Sequence, residues 1–265
     1  MLRSLLRRLP HGRARAARWA RHLYRHPFVD TVEPAELDIR LWINPRDCFQ
    51  AEIWVGAYQP HVVRWIRNNV QTGDTVLCLG LHVGYVAALC RRLAGPTGHV
   101  FSAEPDAHAR EFATRNLGLG DERDAPIDVF PGGFGSAESS ILLYQSRVAG
   151  HSSFAAPHQP DRTVEVQVQR ADIFLGARGV TAIDVLVLDV EGWELEVLRG
   201  LEGTLGRSKR LRGCVELSRW ALADASTTAP EVLSWLAKRG VSLHHLAGDD
   251  WATTPVASAK QHLDA

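Results

Sequence analysis

No apolar run approaches the roughly 20 residues that a bilayer-spanning helix requires, so no transmembrane segment is expected. Cysteine is scarce, and Cys48, Cys78, Cys90 and Cys214 stand far apart with no CxxC pair. That spacing excludes a zinc ribbon and a dense disulfide framework, and it favours reduced thiols in a cytoplasmic protein. His22 and His26 have helical i, i+4 spacing but no third ligand beside them, so no metal site is expected. An excess of charge is missing too: 30 Lys+Arg balance 30 Asp+Glu. A uniformly basic nucleic-acid binder is thereby excluded. What is present is ordinary for a globular chain, with 45% apolar and 23% charged residues. The length of 265 residues suits one large α/β domain with an appendage.

The zero sum hides a division. Residues 1–29 carry eight arginines and no acid, which leaves the other 236 residues at a net charge of −8. Leu2, Leu5, Leu6 and Leu9 follow helical spacing until Pro10 and Gly12 interrupt it. The period then resumes, with Ala16, Trp19, Ala20 and Leu23 on one face and Arg15, Arg18, Arg21 and Arg25 opposite. Arginines break every candidate signal-peptide core, so residues 1–29 read as a basic amphipathic arm. Such an arm can lie peripherally on the anionic inner face of a membrane, or pack on the body or on a second subunit. Nothing in the sequence fixes an oligomeric state.

Residues 30–72 read as a strand-and-helix layer: Leu37–Ile43 alternates like a strand, and Glu52–Asn69 is helical in tendency, with Pro60 near a helix start. Residues 73–265 then alternate. Strands are expected over Thr75–Leu79, His99–Ala103, Ile127–Phe130, Ile141–Gln145, Val164–Val168, Ile183–Val190, Gly213–Leu217 and Val241–Leu246. Helices are expected over Val83–Leu93, Asp106–Leu117, Glu191–Leu198 and Pro230–Arg239. Apolar, unalternating strands separated by helices imply an α/β fold with a mostly parallel sheet covered on both faces.

Two glycines, Gly80 and Gly84, stand at the junction of the first of these strands with its helix. They allow a tight turn and bring backbone N–H groups to a ligand, or they pack helix on strand. Glu104 follows the next strand, where an acid accepts hydrogen bonds from two ribose hydroxyls, or serves as a helix-terminal acid. Together these features suggest an adenosine-containing ligand. NAD and S-adenosylmethionine both satisfy this pattern. His82 stands where a dinucleotide site has its middle glycine and would crowd a diphosphate, which favours a ligand without phosphates.

The most distinctive stretch is Asp184-Val-Leu-Val-Leu-Asp189-Val-Glu191-Gly-Trp-Glu194-Leu-Glu-Val-Leu-Arg-Gly200-Leu. With Gly80, Gly84 and Glu104-Pro105 it resembles the FkbM family of S-adenosylmethionine-dependent methyltransferases, whose usual run here is Asp-Val-Glu-Gly-Ala-Glu. Tyr58-Gln-Pro60, Gly150-His-Ser-Ser153 and Val215-Glu216-Leu217 extend the likeness over roughly residues 37–246. The resemblance implies a Rossmann-like methyltransferase domain with an added antiparallel strand near the C-terminus. It implies O-methylation of a small-molecule hydroxyl acceptor, commonly a sugar or a secondary metabolite. Gly80, His82, Gly84 and Tyr85 would line the methionine part of the cofactor, Glu104-Pro105 would hold the ribose, and Gly133 and Phe134 would lie near adenine. Asp189, Glu191 and Glu216 would face the methyl group and the acceptor. Asp189 is the first candidate base, then Glu216, with His82 and His151 behind. For Asp189 the plainer alternative is a helix cap, and for Glu216 an ion pair with a residue such as Arg219. The chain departs from the family in having Cys78 for an acid, His82 for Asn, Gln59 for Glu and Val187 for Lys. Loss of an acid that organises the cofactor's ammonium would cost about 10- to 150-fold in affinity, so Cys78→Asp is expected to tighten binding. These departures also admit a protein that keeps the fold and binds a ligand or partner without catalysis.

Overall fold

The computed structural model describes Arg15 and residues 26–32, 34–145, 152–155, 162–242, 244–247 and 250–253. The arm expected over residues 1–29 lies outside these, apart from Arg15 and 26–29. Strand β1 (Phe28–Thr31) pairs antiparallel with β2 (Arg40–Ile43), and the Trp54 indole donates to the Asp30 carboxylate across 2.8 Å.

The helical tendency of Glu52–Asn69 falls on two helices, α1 (Cys48–Val55) and α2 (Pro60–Asn69), the second starting at Pro60 as expected. Asp47 caps α1 by accepting from the Gln50 N–H, and Gly56 closes it in the left-handed conformation. Pro60 supplies the first turn of α2, where its missing N–H costs no hydrogen bond.

Among the described residues, five strands form the central sheet: β3 (Thr75–Leu79), β4 (His99–Ala103), β5 (Ile127–Phe130), β9 (Val185–Leu188) and β10 (Arg212–Val215). All are parallel, in the order β10-β9-β3-β4-β5. Val76 and Cys78 of β3, with Val185 and Val187 of β9, face a core that includes Leu41, Ile53, Ile66 and Leu89. Leu77, Leu79, Leu186 and Leu188 face a second core with Phe101, Phe174 and Leu198. Burial on both faces is why these strands read as continuous apolar runs.

Helices α3 (Tyr85–Ala94) and α4 (Ala107–Leu117) follow β3 and β4. The chain then departs from simple alternation. Strands β6 (Gly133–Phe134), β7 (Ser139–Gln145) and β8 (Arg162–Gln169) form a separate three-stranded sheet, in which β7 and β8 are antiparallel. Then come α5 (Ala171–Gly176), α6 (Glu194–Gly200), α7 (Glu202–Arg207), α8 (Arg219–Asp224) and α9 (Ala229–Ala237).

Near the C-terminus, where the resemblance implies an added antiparallel strand, lies β11 (His244–Ala247). It pairs with β12 (Asp250–Thr253) in a separate hairpin, and among the described residues neither strand joins the central sheet. The central order places the crossover from one half of the sheet to the other between β3 and β9. Open sheets bind ligands at the carboxyl ends of strands beside such a switch.

Candidate active site

A cavity of about 640 Å³ opens there, within the range of small-molecule sites. Gly80, His82, Tyr85, Glu104, Pro105, Gly133, Phe134, Asp189, Glu191 and Glu216 all line it. Gly84 does not: a Cβ there would meet the Ala113 carbonyl at 3.2 Å, so this glycine serves the contact of α3 with α4. Gly80 lines the cavity, but its φ of +97° and the closeness of the Asp189 carbonyl, 2.0 Å from where a Cβ would sit, show a second need. It lets the ends of β3 and β9 touch, and the Asp189 N–H donates to the Leu79 carbonyl at 3.1 Å.

Glu104 is buried, and its carboxylate accepts from the backbone N–H groups of His82 (3.3 Å) and Asp106 (3.0 Å). The cap of α4 is Asp106, so Glu104 is not the helix-terminal acid. Burial pushes the Glu104 carboxyl up to about 7, against the two backbone hydrogen bonds that lower it.

Asp189, Glu191 and Glu216 converge at the ends of β9 and β10. The plainer alternatives do not hold for the first and last. Helix α6 begins at Glu194 with no side-chain cap, so Asp189 caps nothing there. Arg219 lies over the Trp220 ring at 5.1 Å, whereas Glu216 accepts from Gln59 Nε2 at 2.7 Å. The same Gln59 Nε2 donates to Asp189 at 3.4 Å. Burial, then the Asp189 charge, raises Glu216 to about 7. Burial, then Asp189 and Glu216, raises Glu191 to about 8. The Tyr58 phenol is raised far above its ordinary value by burial and by the Asp189 and Glu216 charges, so it stays neutral.

The loop bearing Asp189 and Glu191 is tied from below. Buried Glu194 accepts from the N–H groups of Val190 (3.2 Å) and Gly192 (3.1 Å). From above, Ser153 donates to the Glu191 carbonyl at 2.7 Å and Ser152 to the Asp106 carboxylate at 2.9 Å, so residues 152–155 bridge the Glu104 and Glu191 sides. His151 lies outside the described residues. His82 sits among rings, 5.9 Å from Phe49 and 6.5 Å from Tyr58.

Seven carboxyl side chains line the cavity, adding Asp47, Glu52 and Asp106 to those above, and among the described residues no arginine or lysine does. Cys78 does not line it either. Its side chain is fully buried against Cys90, so it is not a partner for a cofactor's ammonium. Residues missed from sequence include Trp193, which packs on Phe154 at 5.4 Å between ring centroids. It stands where the family usually has Ala, and that bulk at a cavity position was the available signal. Gln59, noted only as a departure, bridges two acids.

Residues 71–243 match the methyltransferase FkbM domain. AglP of Haloferax volcanii, a hexuronic acid methyltransferase, is 27% identical over 146 residues, 54% of this chain and 56% of that protein. The chain thus matches about half the length of that relative. Among solved structures, fibrillarin of Aeropyrum pernix with natively bound S-adenosyl-L-methionine is 14% identical with a TM-score of 0.39, over 72% of this chain and 65% of that one. A SAM-dependent methyltransferase of Agrobacterium tumefaciens is 14% identical with a TM-score of 0.41, over 78% of this chain and 60% of that one. These two likenesses are too distant to bear on activity. The family match spans well over half of the sequence, and the chain belongs to the FkbM family of S-adenosylmethionine-dependent methyltransferases.

Proposed function

We propose that the protein transfers the methyl group of S-adenosylmethionine to a hydroxyl oxygen of a neutral small molecule, a sugar or a secondary metabolite. The observation that carries this reading is the charge of the cavity: seven carboxyl side chains and, among the described residues, no arginine or lysine. A diphosphate would meet like charge on every side, whereas a ligand bearing an ammonium and a sulfonium meets opposite charge. When bound, the cofactor supplies a methyl group activated for transfer by the positive sulfur.

Glu104 offers its remaining lone pairs to the ribose hydroxyls. Gly80, His82 and Tyr85 flank the methionine part, and Gly133 and Phe134 the adenine. On the acceptor side, a neutral hydroxyl is a weak nucleophile, and its proton passes to the Asp189–Glu216 carboxyl pair. Glu191, protonated at neutral pH, donates a hydrogen bond that orients the acceptor.

AglP, as a hexuronic acid methyltransferase, raises a uronic acid as a candidate acceptor. A uronate carboxylate would enter a cavity already rich in carboxyls, which disfavours it by like-charge repulsion. Full-length protein with methyl-labelled cofactor at pH 8 is expected to label neutral glycosides at least about tenfold faster than the matching uronides, a difference of ~1.4 kcal/mol. Equal or faster labelling of the uronides contradicts the neutral-acceptor reading.

We also read the basic arm as a contact for anionic membrane surfaces, on the strength of its eight arginines and no acid.

A further inference from the structure

Among the described residues, three of the five non-glycine positions with positive φ line the cavity: Gln59, His82 and Glu191. Strained backbone persists where its surroundings hold it, and it concentrates at functional sites. Gln59 is the most constrained of the three. It has φ 37° and ψ 56°, and it precedes Pro60, which itself disfavours helical backbone. This conformation delivers one amide group to two acids that are 130 and 157 residues away in sequence.

The chemistry of that group matters. A side-chain amide carries two N–H donors, enough for two carboxylates, and no charge. A lysine or arginine in its place would favour full ionisation of both acids. A neutral donor holds them close without supplying a counter-charge, and two carboxyl groups held close cannot both ionise freely.

We propose that Gln59 is a positioning residue that ties the carboxyl groups of Asp189 and Glu216 into a pair sharing one proton, with the charged member facing the acceptor. The purpose assigned to the pair rests on the methyltransferase reading, but the pair itself does not. The groups facing it support one proton rather than none. Glu52 on α1 and Glu191 and Glu194 on the loop after β9 are carboxyls, while burial keeps the Cys214 thiol on β10 and the Tyr58 phenol beside Gln59 neutral, so no cation among them favours full ionisation. The elevation of Glu216 to about 7 follows from burial and then from Asp189, with the Gln59 hydrogen bond opposing it.

The test is a carbon-13 NMR titration of side-chain carboxyls in full-length, cofactor-free protein between pH 4 and 9, for wild type, Gln59→Leu and Gln59→Glu. In wild type the pair should lose its shared proton near neutral pH. Gln59→Leu removes donors that favour the charged form, so this step should move up by about one to two pH units. Gln59→Glu adds a charge and should move it up at least as far. It also preserves size, which keeps the question answerable if the leucine variant folds poorly. A purely structural role would change stability and leave the step in place, and a step unmoved in the folded variants overturns the proposal. Calorimetry with S-adenosylmethionine on wild type separates the two readings. An unmoved step with cofactor binding intact removes only the role of Gln59. A moved step without cofactor binding removes only the methyltransferase reading.

Discussion

Glu104 illustrates how one buried acid serves both fold and ligand. Each oxygen already accepts a backbone N–H, and this fixes the turn after β3 against the turn after β4. The lone pairs left over point the carboxylate at the cavity it lines. Replacing Glu104 by Gln keeps the volume but loses the charge and one acceptor. Titration calorimetry at pH 8 should show S-adenosylmethionine affinity about 10- to 150-fold weaker, since hydrogen bonds to charged groups are worth about 1.5–3 kcal/mol. Cys78 behaves differently from the sequence expectation. Its place on β3 was legible, but its contact with Cys90 in the core was not, because that depends on how α3 packs. Cys78→Asp should therefore not tighten cofactor binding. It buries an unpaired carboxyl and should lower the thermal midpoint by several degrees, as a destabilisation of about 3 kcal/mol or more would. Unchanged stability with tighter binding would show that the side chain reaches the cavity after all. Two of the remaining departures offset each other: Gln59 and Val187, both at the cavity, remove one negative and one positive charge relative to the family's usual residues. Their net effect on the charge of the site is nil, which weakens the case for a non-catalytic relative.

At the scale of elements, the loop between β9 and α6 is the part that matters most. The sequence suggested that α6 begins at Glu191. It begins at Glu194, because Glu191 and Gly192 both adopt positive φ and hold the chain off the helix. Gly192 was a visible signal, whereas a left-handed glutamate was not. Glu194 replaces the lost helical hydrogen bonds by accepting from Val190 and Gly192. Glu194→Ala should orphan those N–H groups at about 1–3 kcal/mol each, visible as a lower denaturation midpoint, and should slow methyl transfer by misplacing Asp189 and Glu191. The acids the loop gathers also give stability a pH dependence. Glu104 at about 7 and Glu191 at about 8 bind protons more tightly in the folded state than in the unfolded chain. Their contribution is complete below the ordinary carboxyl range and is lost as pH rises through 7 to 8. The thermal midpoint of cofactor-free protein should fall between pH 6 and 9. A midpoint that rises across this range would contradict the burial of these groups. The three-stranded sheet was legible only as separate strands, since the antiparallel return of β7 on β8 is a long-range pairing that local pattern does not encode.

Across the whole molecule, the strand–helix alternation and the residues at strand ends were readable because a parallel sheet buried on both faces leaves a strong apolar signature. Charge was readable as a total and as a division between arm and body. What the fold adds is that the acids of the body, dispersed from Asp47 to Glu216, meet in one cavity. The arm can be tested apart from that cavity. β1 begins at Phe28, and Phe28 packs edge-on against Trp54, so truncation should remove residues 1–25 and no more. Full-length protein should sediment with anionic vesicles, and the truncated protein should not, with cofactor binding equal in both. The most direct test of the central claim, an acidic cavity built for a cationic cofactor, is calorimetry of S-adenosylmethionine binding near pH 7 in buffers of different ionisation enthalpy. A cation entering among Glu104, Glu191 and Glu216, all raised into this range, should expel protons. The predicted result is saturable binding with net proton release and weakening as salt is added. Absence of binding at millimolar cofactor, or binding with proton uptake, would contradict it.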